Sequence, residues 1–103
     1  MPLVKIRGRF FSWDEDKYES NIKKHGVNFH EAASVFDDLN AFMFYDSDHS
    51  EDEDRFIVIG ISEDARLLMV CHCYWEKVEV ARIISARKAT KNEEKMYTRR
   101  KLL

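Results

Sequence analysis

The stretch FSWDEDKYESNIKKHGVNFHEAASVFDD, residues 11–38, contains the signals for two consecutive helices. Ser12 and Glu15 have the three-residue spacing of a capping box, which predicts that the first helix begins near Trp13. Gly26 can adopt the left-handed backbone conformation that commonly follows the end of a helix. The first helix is therefore predicted to end at the residue before this glycine.

The charges of this helix and the pattern that follows it support the same interpretation. Acidic side chains crowd its first turn and basic side chains crowd its last turn, which is the order that the helix dipole favours. Asn28 and Glu31 repeat the capping spacing, and the next apolar residues recur at helical intervals. We therefore expect two short helices that pack together as a hairpin.

Length and composition limit how the chain is organised. It has 103 residues, of which 45% are hydrophobic, so we expect a single domain over residues 1–103 with one core. No apolar run approaches the roughly 20 residues that cross a bilayer, and the amino terminus lacks the apolar core of a secretory signal. The sequence predicts a cytoplasmic protein without a membrane segment.

The potential metal ligands do not have the spacing of a metal site. Cys71 and Cys73 fall on one face of a predicted strand, too close for an ordinary disulfide, so we expect reduced, buried thiols. His72 lies between them and points to the opposite face, which argues against zinc. The acidic run that begins at Asp46 resembles a calcium loop, but Glu51 stands where that loop needs glycine. We expect no metal and no other cofactor.

The charges are distributed unevenly, although the net charge is only −2. Residues 37–54 carry eight acidic residues and no Lys or Arg, whereas residues 82–101 carry eight basic residues against two acidic ones. A basic end of this kind can bind phosphates or an acidic protein, and the acidic stretch can bind a basic partner. Charge alone does not choose between these partners.

After residue 40 the apolar pattern changes from helical to alternating, and this alternation predicts strands. The links between the alternating segments are short, which favours antiparallel hairpins. Four strands are predicted, over residues 41–45, 55–61, 66–74 and 78–86. A third helix is predicted to begin near Thr90, whose distance from Glu93 is again that of a capping box, and to run toward Arg100.

The fold class that follows is α+β. We predict two N-terminal helices, a four-stranded antiparallel sheet and a C-terminal helix, with the helices covering one face of the sheet.

An ordered set of motifs along the chain resembles the BrnT-type toxins, the ribonuclease half of a bacterial type II toxin–antitoxin pair. The W-D-x-x-K start of that family begins here at Trp13, and K-H-G-V begins at Lys24. DHSEDEDRFIVIG follows from Asp48, RLLMVCH from Arg66 and RIISARKAT from Arg82, in the order of the family. Each motif is unspecific by itself, but the ordered set covers nearly the whole chain.

The resemblance implies a RelE/ParE-like ribonuclease fold and an endoribonuclease toxin that cleaves RNA without a metal and inhibits translation and growth. It also implies a cognate BrnA-like antitoxin, which carries a ribbon-helix-helix DNA-binding part and forms a hetero-oligomer with the toxin. The toxin would then reach operator DNA only through its antitoxin. The family tends toward a basic surface, whereas this chain has a pI near 6.1, so RNA affinity must come from a local patch.

Cleavage of RNA without a metal requires a base for the ribose 2′-hydroxyl, cations around the phosphate and an acid for the leaving 5′-oxygen. Arginine suits the second task because its planar fork binds phosphate oxygens at any physiological pH. Four arginines lie at the ends of predicted strands: Arg55, Arg66, Arg82 and Arg87. With His25 as a proton donor, they are the candidate catalytic residues.

Arg87 is the first choice, because the resemblance places it in the I-S-x-R motif of the family. Strand alternation puts it on one face with Ile83 and Ser85, and its structural alternative is an exposed salt bridge. Arg82 falls on the other, apparently apolar face of this strand. It therefore either pairs with a buried acid or projects into a site.

The remaining candidates also have structural alternatives. Arg55 follows Glu53 at a two-residue spacing that favours a salt bridge first and catalysis second, and Arg66 reaches either phosphate or solvent. His25 ends a helix, where the dipole offers it a structural role. His72 falls on an apolar strand face, which favours a core position over an acid–base role.

Four residues are candidates for binding the RNA substrate. Lys24 and Lys88 carry charges that can contact phosphates, while Trp13 and Tyr97 can stack on unpaired bases. Burial in the core is the alternative for both aromatic residues.

A binding module is the competing functional class. In this alternative the chain is a catalytically inactive domain that holds and modulates a DNA-binding partner. The sequence favours it only because no complete set of acid and base residues is evident.

Overall fold

The computed structural model describes residues 2–102. Within them the chain forms three α-helices and six strands. Their bounds are β1 Leu3–Ile6, β2 Arg9–Ser12, α1 Glu15–His25, α2 Phe29–Ser34, β3 Phe42–Tyr45, β4 Phe56–Ile61, β5 Leu67–Trp75, β6 Val80–Lys88 and α3 Lys91–Lys101. Within residues 2–102 no helix is both long and apolar enough to cross a membrane.

The strands form one mixed sheet in the order β1-β2-β6-β5-β4-β3. β2 and β6 are parallel, and the other neighbours are antiparallel. The predicted four strands and third helix are present, but the prediction of a four-stranded antiparallel sheet that follows two helices is wrong. A hairpin, β1–β2, precedes the helices and adds two strands beyond β6.

The β1–β2 hairpin escaped prediction because its two four-residue strands depend on pairing with β6, a contact that no local pattern reveals. Arg7 and Gly8 form its turn with φ values of 52° and 86°, the positive values that tight hairpin turns require. A two-stranded hairpin is marginal by itself. Pairing with β6, which lies far away in sequence, supplies the missing support.

The start of α1 also differs from the prediction. Ser12 is the last residue of β2, and its hydroxyl donates a 2.7 Å hydrogen bond to the Pro2 carbonyl. Asp14 caps the helix instead, accepting bonds from the amides of Asp16 and Lys17 at 2.9 and 3.2 Å. The predicted end is confirmed, because Gly26 adopts the left-handed conformation with a φ of 66°.

One face of the sheet is covered by α1 and α2. We call it the hairpin face, after these two helices and not after the β1–β2 hairpin. Val27 and Phe29, from the turn between the helices and the start of α2, are fully buried there against Leu68 and Val70 of β5. Burial of such side chains contributes about 1.5–3 kcal/mol each. The predicted pair of short helices is present as Glu15–His25 and Phe29–Ser34, with an apolar side against the sheet, but Phe11 and Ser12 of the predicted segment belong to β2.

The opposite face is covered only at one end, by α3, and we call it the α3 face. Tyr97 of α3 packs there against Ile59 and Met69, and its hydroxyl donates a 2.7 Å hydrogen bond to Asp38. The predicted capping box of Thr90 with Glu93 is present at the start of α3. In the described part of the chain, helices cover both faces, and not one face as predicted.

A β-bulge in β6 decides which side chains share a face. Cys71 pairs with Ser85 and His72 pairs with Ile83, so Ile84 has no partner on β5. Beyond this extra residue the alternation along β6 is reversed.

The bulge places Arg82, Ser85 and Arg87 together on the α3 face, opposite Cys73, Cys71 and Met69 of β5. Ile83 points to the hairpin face, where it is 1% exposed. The prediction that Ile83 shares a face with Ser85 and Arg87 is therefore wrong, because strict alternation cannot account for an extra residue. Arg82 and Arg87, five positions apart, come to lie on the same side.

Helix α1 packs against the edge of β6 beyond the end of β2. The Asn21 side chain accepts a 3.0 Å hydrogen bond from the Ala86 amide and donates a 2.8 Å bond to the Ala86 carbonyl. It also donates to the carbonyl of Val27 at 2.9 Å. A buried side-chain amide thus replaces a neighbouring strand and holds α1 beside the bulge.

Candidate functional site

Two arginines and one glutamate meet on the open part of the α3 face. Arg55 immediately precedes β4 and Arg82 belongs to β6, so they flank β5 from its two sides. Glu53 Oε1 lies 3.5 Å from Arg82 Nη1 and 4.0 Å from Arg55 Nη2. We call these three residues the Arg–Glu–Arg cluster.

Cys71 and Cys73 form the floor below the Arg–Glu–Arg cluster. Both are free thiols, 7% and 3% exposed. Burial, with a hydrogen bond to Glu53, raises the pKa of Cys73 to about 11. Burial also raises the pKa of Cys71 against the opposing charges of Arg55 and Lys17. The thiols stay protonated near neutral pH and are not nucleophiles.

Arg87 lies on the same face but is engaged at the start of α3. Its guanidinium donates two bonds to Glu93, at 2.8 and 3.0 Å, and Glu93 also accepts a 2.8 Å bond from the Thr90 amide. Burial disfavours the charge of Glu93, but these hydrogen bonds hold its pKa below the usual value. The Arg87 side chain is 33% exposed, so part of its charge still faces solvent.

Two predicted site residues on α1 lie next to the bulge. Lys24 and His25 line a groove of about 310 Å³ together with Ser85 and Ile84. The groove borders the side of β6 that carries Arg82 and Arg87. These two residues of α1 therefore lie beside the α3 face.

Arg66 lies elsewhere, in an ion pair that links the β4–β5 turn to the helices. It donates to both carboxylate oxygens of Glu31, whose side chain is only 3% exposed, and to the carbonyl of Gly26 at 3.1 Å. Ser62 adds a 2.7 Å bond to Glu31. The hydrogen bonds from Arg66 lower the pKa of Glu31 against the effect of burial. The structure does not bring Arg66 to the Arg–Glu–Arg cluster.

The predicted stacking residues and Lys88 also lie away from the cluster. Trp13 is 3% exposed and stacks on Tyr18 with ring centres 5.6 Å apart. Tyr97 is 5% exposed beneath α3, and Lys88 pairs with Leu68 on the hairpin face. In this structure neither aromatic ring offers a face to a base.

Glu53 is the member of the cluster that sequence reasoning missed. Its two-residue spacing from Arg55 predicted a salt bridge. The structure contains this salt bridge, with a long distance of 4.0 Å between Arg55 Nη2 and Glu53 Oε1. The closer partner, Arg82, is far away in sequence, so no local pattern could reveal the contact. The available signal was its position two residues before Arg55, which points to the contact with Arg55 alone.

A large apolar cavity lies on the hairpin face. It measures about 600 Å³, and Phe36, Phe56 and Met43 are among its lining residues. His72 lies at this cavity, 1% exposed, with no hydrogen-bond partner for Nδ1, and burial lowers its pKa to about 4. The imidazole is therefore neutral near neutral pH and lies on the face opposite to Arg82 and Arg87.

Potential metal ligands do not converge in the described residues. Within residues 2–102 no group of three His, Cys, Asp or Glu side chains is arranged to hold a metal ion.

Comparisons with known proteins identify a family. A family model described as ribonuclease toxin, BrnT, of type II toxin–antitoxin system matches residues 13–93. The chain is also similar to the 1.1 Å crystal structure of the Brucella abortus ribonuclease toxin BrnT, with 28% identity and a TM-score of 0.59. That alignment covers 79% of this chain and 96% of the Brucella chain. A search of curated proteins found no match.

Proposed function

The chain belongs to the BrnT family of ribonuclease toxins of type II toxin–antitoxin systems, and on that premise we propose that it cleaves RNA on the α3 face. The BrnT-type toxin that the motifs indicate is confirmed by the family match and by the similarity to the Brucella structure. We propose an endoribonuclease that is independent of metal ions and that inhibits translation and growth.

The observation that carries this proposal is the meeting of Arg55 and Arg82 at one anion. Their guanidinium groups approach the same carboxylate on an open sheet face. Arginine forks bind carboxylate and phosphate oxygens in similar geometry. A scissile phosphate placed there would have two permanent positive charges beside the oxygens whose negative charge grows in the transition state.

Side chains around the cluster extend the proposed RNA site. Arg87 lies on the same strand face, and the groove at Lys24 and His25 adjoins it across Ser85. The net charge of −2 gives the whole molecule no broad attraction for RNA. This local set of cations is therefore proposed to supply the affinity, by contacts with phosphates on either side of the cleaved bond.

Metal independence is proposed because RNA supplies its own nucleophile. The ribose 2′-hydroxyl can attack the neighbouring phosphate once a base removes its proton. The arginines supply the positive charge that a metal ion provides in other nucleases. No cofactor is then required.

The toxin family implies an antitoxin partner, and we propose that it is BrnA-like. Such a partner would bind the toxin as a hetero-oligomer and carry a ribbon-helix-helix part for operator DNA. The toxin itself would contact RNA and not DNA.

The proposed function is tested with the purified chain and RNA oligonucleotides in the presence of EDTA. Wild-type protein should cleave RNA, and Arg82→Ala should lower kcat/KM by about 10²–10³-fold because a transition-state charge contact is lost. Arg99→Ala, an exposed change near the end of α3, serves as the control and should retain activity. Uncut RNA with folded wild-type protein would overturn the ribonuclease proposal in favour of the binding module.

The same variants can be followed in cells. Expression of the chain should arrest growth and create new RNA ends. Co-expression of the proposed antitoxin, encoded by a neighbouring gene, should restore growth. Arrest by Arg82→Ala at the wild-type level would contradict the proposed role of this arginine.

A further inference from the structure

We infer that Glu53 is the general base of RNA cleavage and accepts the proton of the ribose 2′-hydroxyl. This inference rests on the proposed ribonuclease function and names a catalytic residue for it. No motif in the sequence identifies a residue for this role.

The position of Glu53 meets the first requirement, which is access to substrate. Its side chain is 37% exposed, compared with 29% for Arg55 and 20% for Arg82. The carboxylate is thus the most exposed group of the cluster, and the guanidinium groups and the thiol of Cys73 lie around it. A ribose above the sheet would meet this carboxylate next to the charges that hold its phosphate.

The contacts of Glu53 meet the second requirement, which is freedom to accept a proton. Its distances to the two arginines, 3.5 and 4.0 Å, exceed those of strong charged hydrogen bonds. Glu93, in contrast, receives two short bonds from Arg87, at 2.8 and 3.0 Å. A phosphate can therefore displace the weak contacts of Glu53 and leave the carboxylate beside the 2′-hydroxyl.

Three other groups with acid–base chemistry, His72, Cys73 and Glu93, are unsuited to this role. His72 is buried on the opposite face, and the pKa of Cys73 is raised to about 11. Glu93 caps α3 while it binds Arg87, with a side chain 16% exposed. Among these groups only Glu53 is both accessible and placed beside two cations.

The proposed step is an attack of the ribose 2′-oxygen on the neighbouring phosphate. The 2′-hydroxyl proton moves to the Glu53 carboxylate as the 2′-oxygen forms a bond to phosphorus. The bond from phosphorus to the 5′-oxygen breaks, and this oxygen takes a proton from water. The products are a 2′,3′-cyclic phosphate and a 5′-hydroxyl end, and Glu53 returns its proton to solvent. Arg55 and Arg82 stabilise the phosphorane-like charge throughout.

The experiment uses the full chain and one RNA oligonucleotide. Glu53→Gln should lower kcat by about 10²–10⁴-fold, the usual contribution of a general base. Affinity for the same oligonucleotide with a 2′-deoxy sugar at the cleavage position should stay equal or increase, because a charge that repels phosphate is removed. Glu53→Asp should restore part of kcat. Glu51→Gln, an exposed change in the same loop, is the matched control.

The pH profile separates a base from a structural role. Wild-type kcat should fall toward acid pH as the base becomes protonated, and Glu53→Gln should lose this acid limb. The charged and titratable groups around Glu53 are Arg55 and Arg82 beside it and the thiol of Cys73 below, and the same small pocket is lined by Asp48, His49, Glu51 and Asp52. The pKa of the buried Cys73 thiol is raised to about 11, and the profile of Glu51→Gln controls for the other groups of the loop, so an acid limb that is lost only in Glu53→Gln reports the Glu53 carboxylate.

The outcomes distinguish the two proposals. If wild type cleaves and Arg82→Ala does not, but Glu53→Gln keeps the wild-type kcat and acid limb, Glu53 is not the base and the ribonuclease function stands. Ends with a 3′-hydroxyl and a 5′-phosphate would also overturn the inference, because water would then be the nucleophile. If folded wild-type protein leaves RNA intact, both proposals fail.

Discussion

The two faces of the sheet are built from the same strands, yet they differ in what covers them. On the hairpin face two helices leave Leu68 and Val70 with no exposed surface. On the α3 face one helix covers one end, and the arginines at the other end remain partly exposed. The difference shows that charged side chains collect where a sheet face is left open to solvent, because an apolar core does not accommodate solvated charges.

Adjacent residues of β6 illustrate the difference most directly. Ile83 is 1% exposed on the hairpin face, and Arg82 is 20% exposed at its side chain on the α3 face. One position therefore serves stability and the next serves the proposed chemistry. Substitutions at the two positions should separate these effects.

The largest expected effect on stability is that of Ile83→Ala. Removal of a fully buried side chain leaves a cavity and should lower the free energy of unfolding by about 2–5 kcal/mol. Urea denaturation followed by circular dichroism measures the change. The fraction that remains folded should cleave RNA at nearly the wild-type rate.

Arg82→Ala is the matched control for this prediction. It should leave the free energy of unfolding within about 1 kcal/mol of wild type, since its ion pair with Glu53 is long and partly exposed. A loss of stability comparable with that of Ile83→Ala would contradict the division between the faces.

A second prediction concerns His72, the polar residue buried on the hairpin face. Its pKa is lowered to about 4 by burial, whereas the unfolded chain has the ordinary value of 6.5. Between these values the unfolded chain binds a proton that the folded chain does not. The free energy of unfolding should therefore decrease as pH falls from 6.5 to 4, by up to about 3 kcal/mol.

The variant His72→Leu should show less of this decrease. Chemical denaturation at several pH values measures it, and far-UV circular dichroism checks the fold. An equally steep decrease in the variant would assign the effect to other groups. Cleavage per folded molecule should not change, because His72 faces away from the Arg–Glu–Arg cluster.

The third prediction, which has the smallest expected effect on the free energy of unfolding, concerns Arg66 in comparison with Arg82. Arg66→Ala leaves the buried carboxylate of Glu31 without its cation, and should cost about 2 kcal/mol after allowance for the 30% exposure of Arg66. The folded variant should keep its RNA cleavage. A folded but inactive variant would instead support a catalytic role for Arg66.

The pH dependence of the Arg66 variant supplies a further check. In wild type the pKa of Glu31 is held below its ordinary value of 4.5, chiefly by the hydrogen bonds from Arg66. The ion pair therefore stabilises the fold above that pH and loses its contribution as pH falls through the lowered value. The stability difference between wild type and variant should narrow below pH 4.5.

Local patterns predicted the elements whose signals lie close together in sequence. The cap at Asn28, the stop at Gly26 and the capping box at Thr90 each involve residues within one or two turns. The β1–β2 hairpin was missed because its stability depends on pairing with β6. The start of α1 was misplaced because Ser12 is held in a strand by that same pairing.

The candidate site was predicted less completely than the fold. Arg55, Arg82 and Arg87 were chosen as phosphate-binding residue types at strand ends, and all three lie on the α3 face. Trp13 and Tyr97 were chosen by residue type as well, but each is buried in a core. Residue type and strand position cannot reveal which face a helix will cover.

The sequence by itself determined the helices, four of the strands and the family, because those depend on local periodicity, caps and ordered motifs. Only the tertiary structure decided that Glu53 meets Arg82 and that Arg82 lies on the same face as Arg87. The physical reason is the extra residue at Ile84. A bulge reverses the alternation of a strand, and this bulge exists only in the pairing of β6 with β5, near the bonds of Asn21 to the edge of β6.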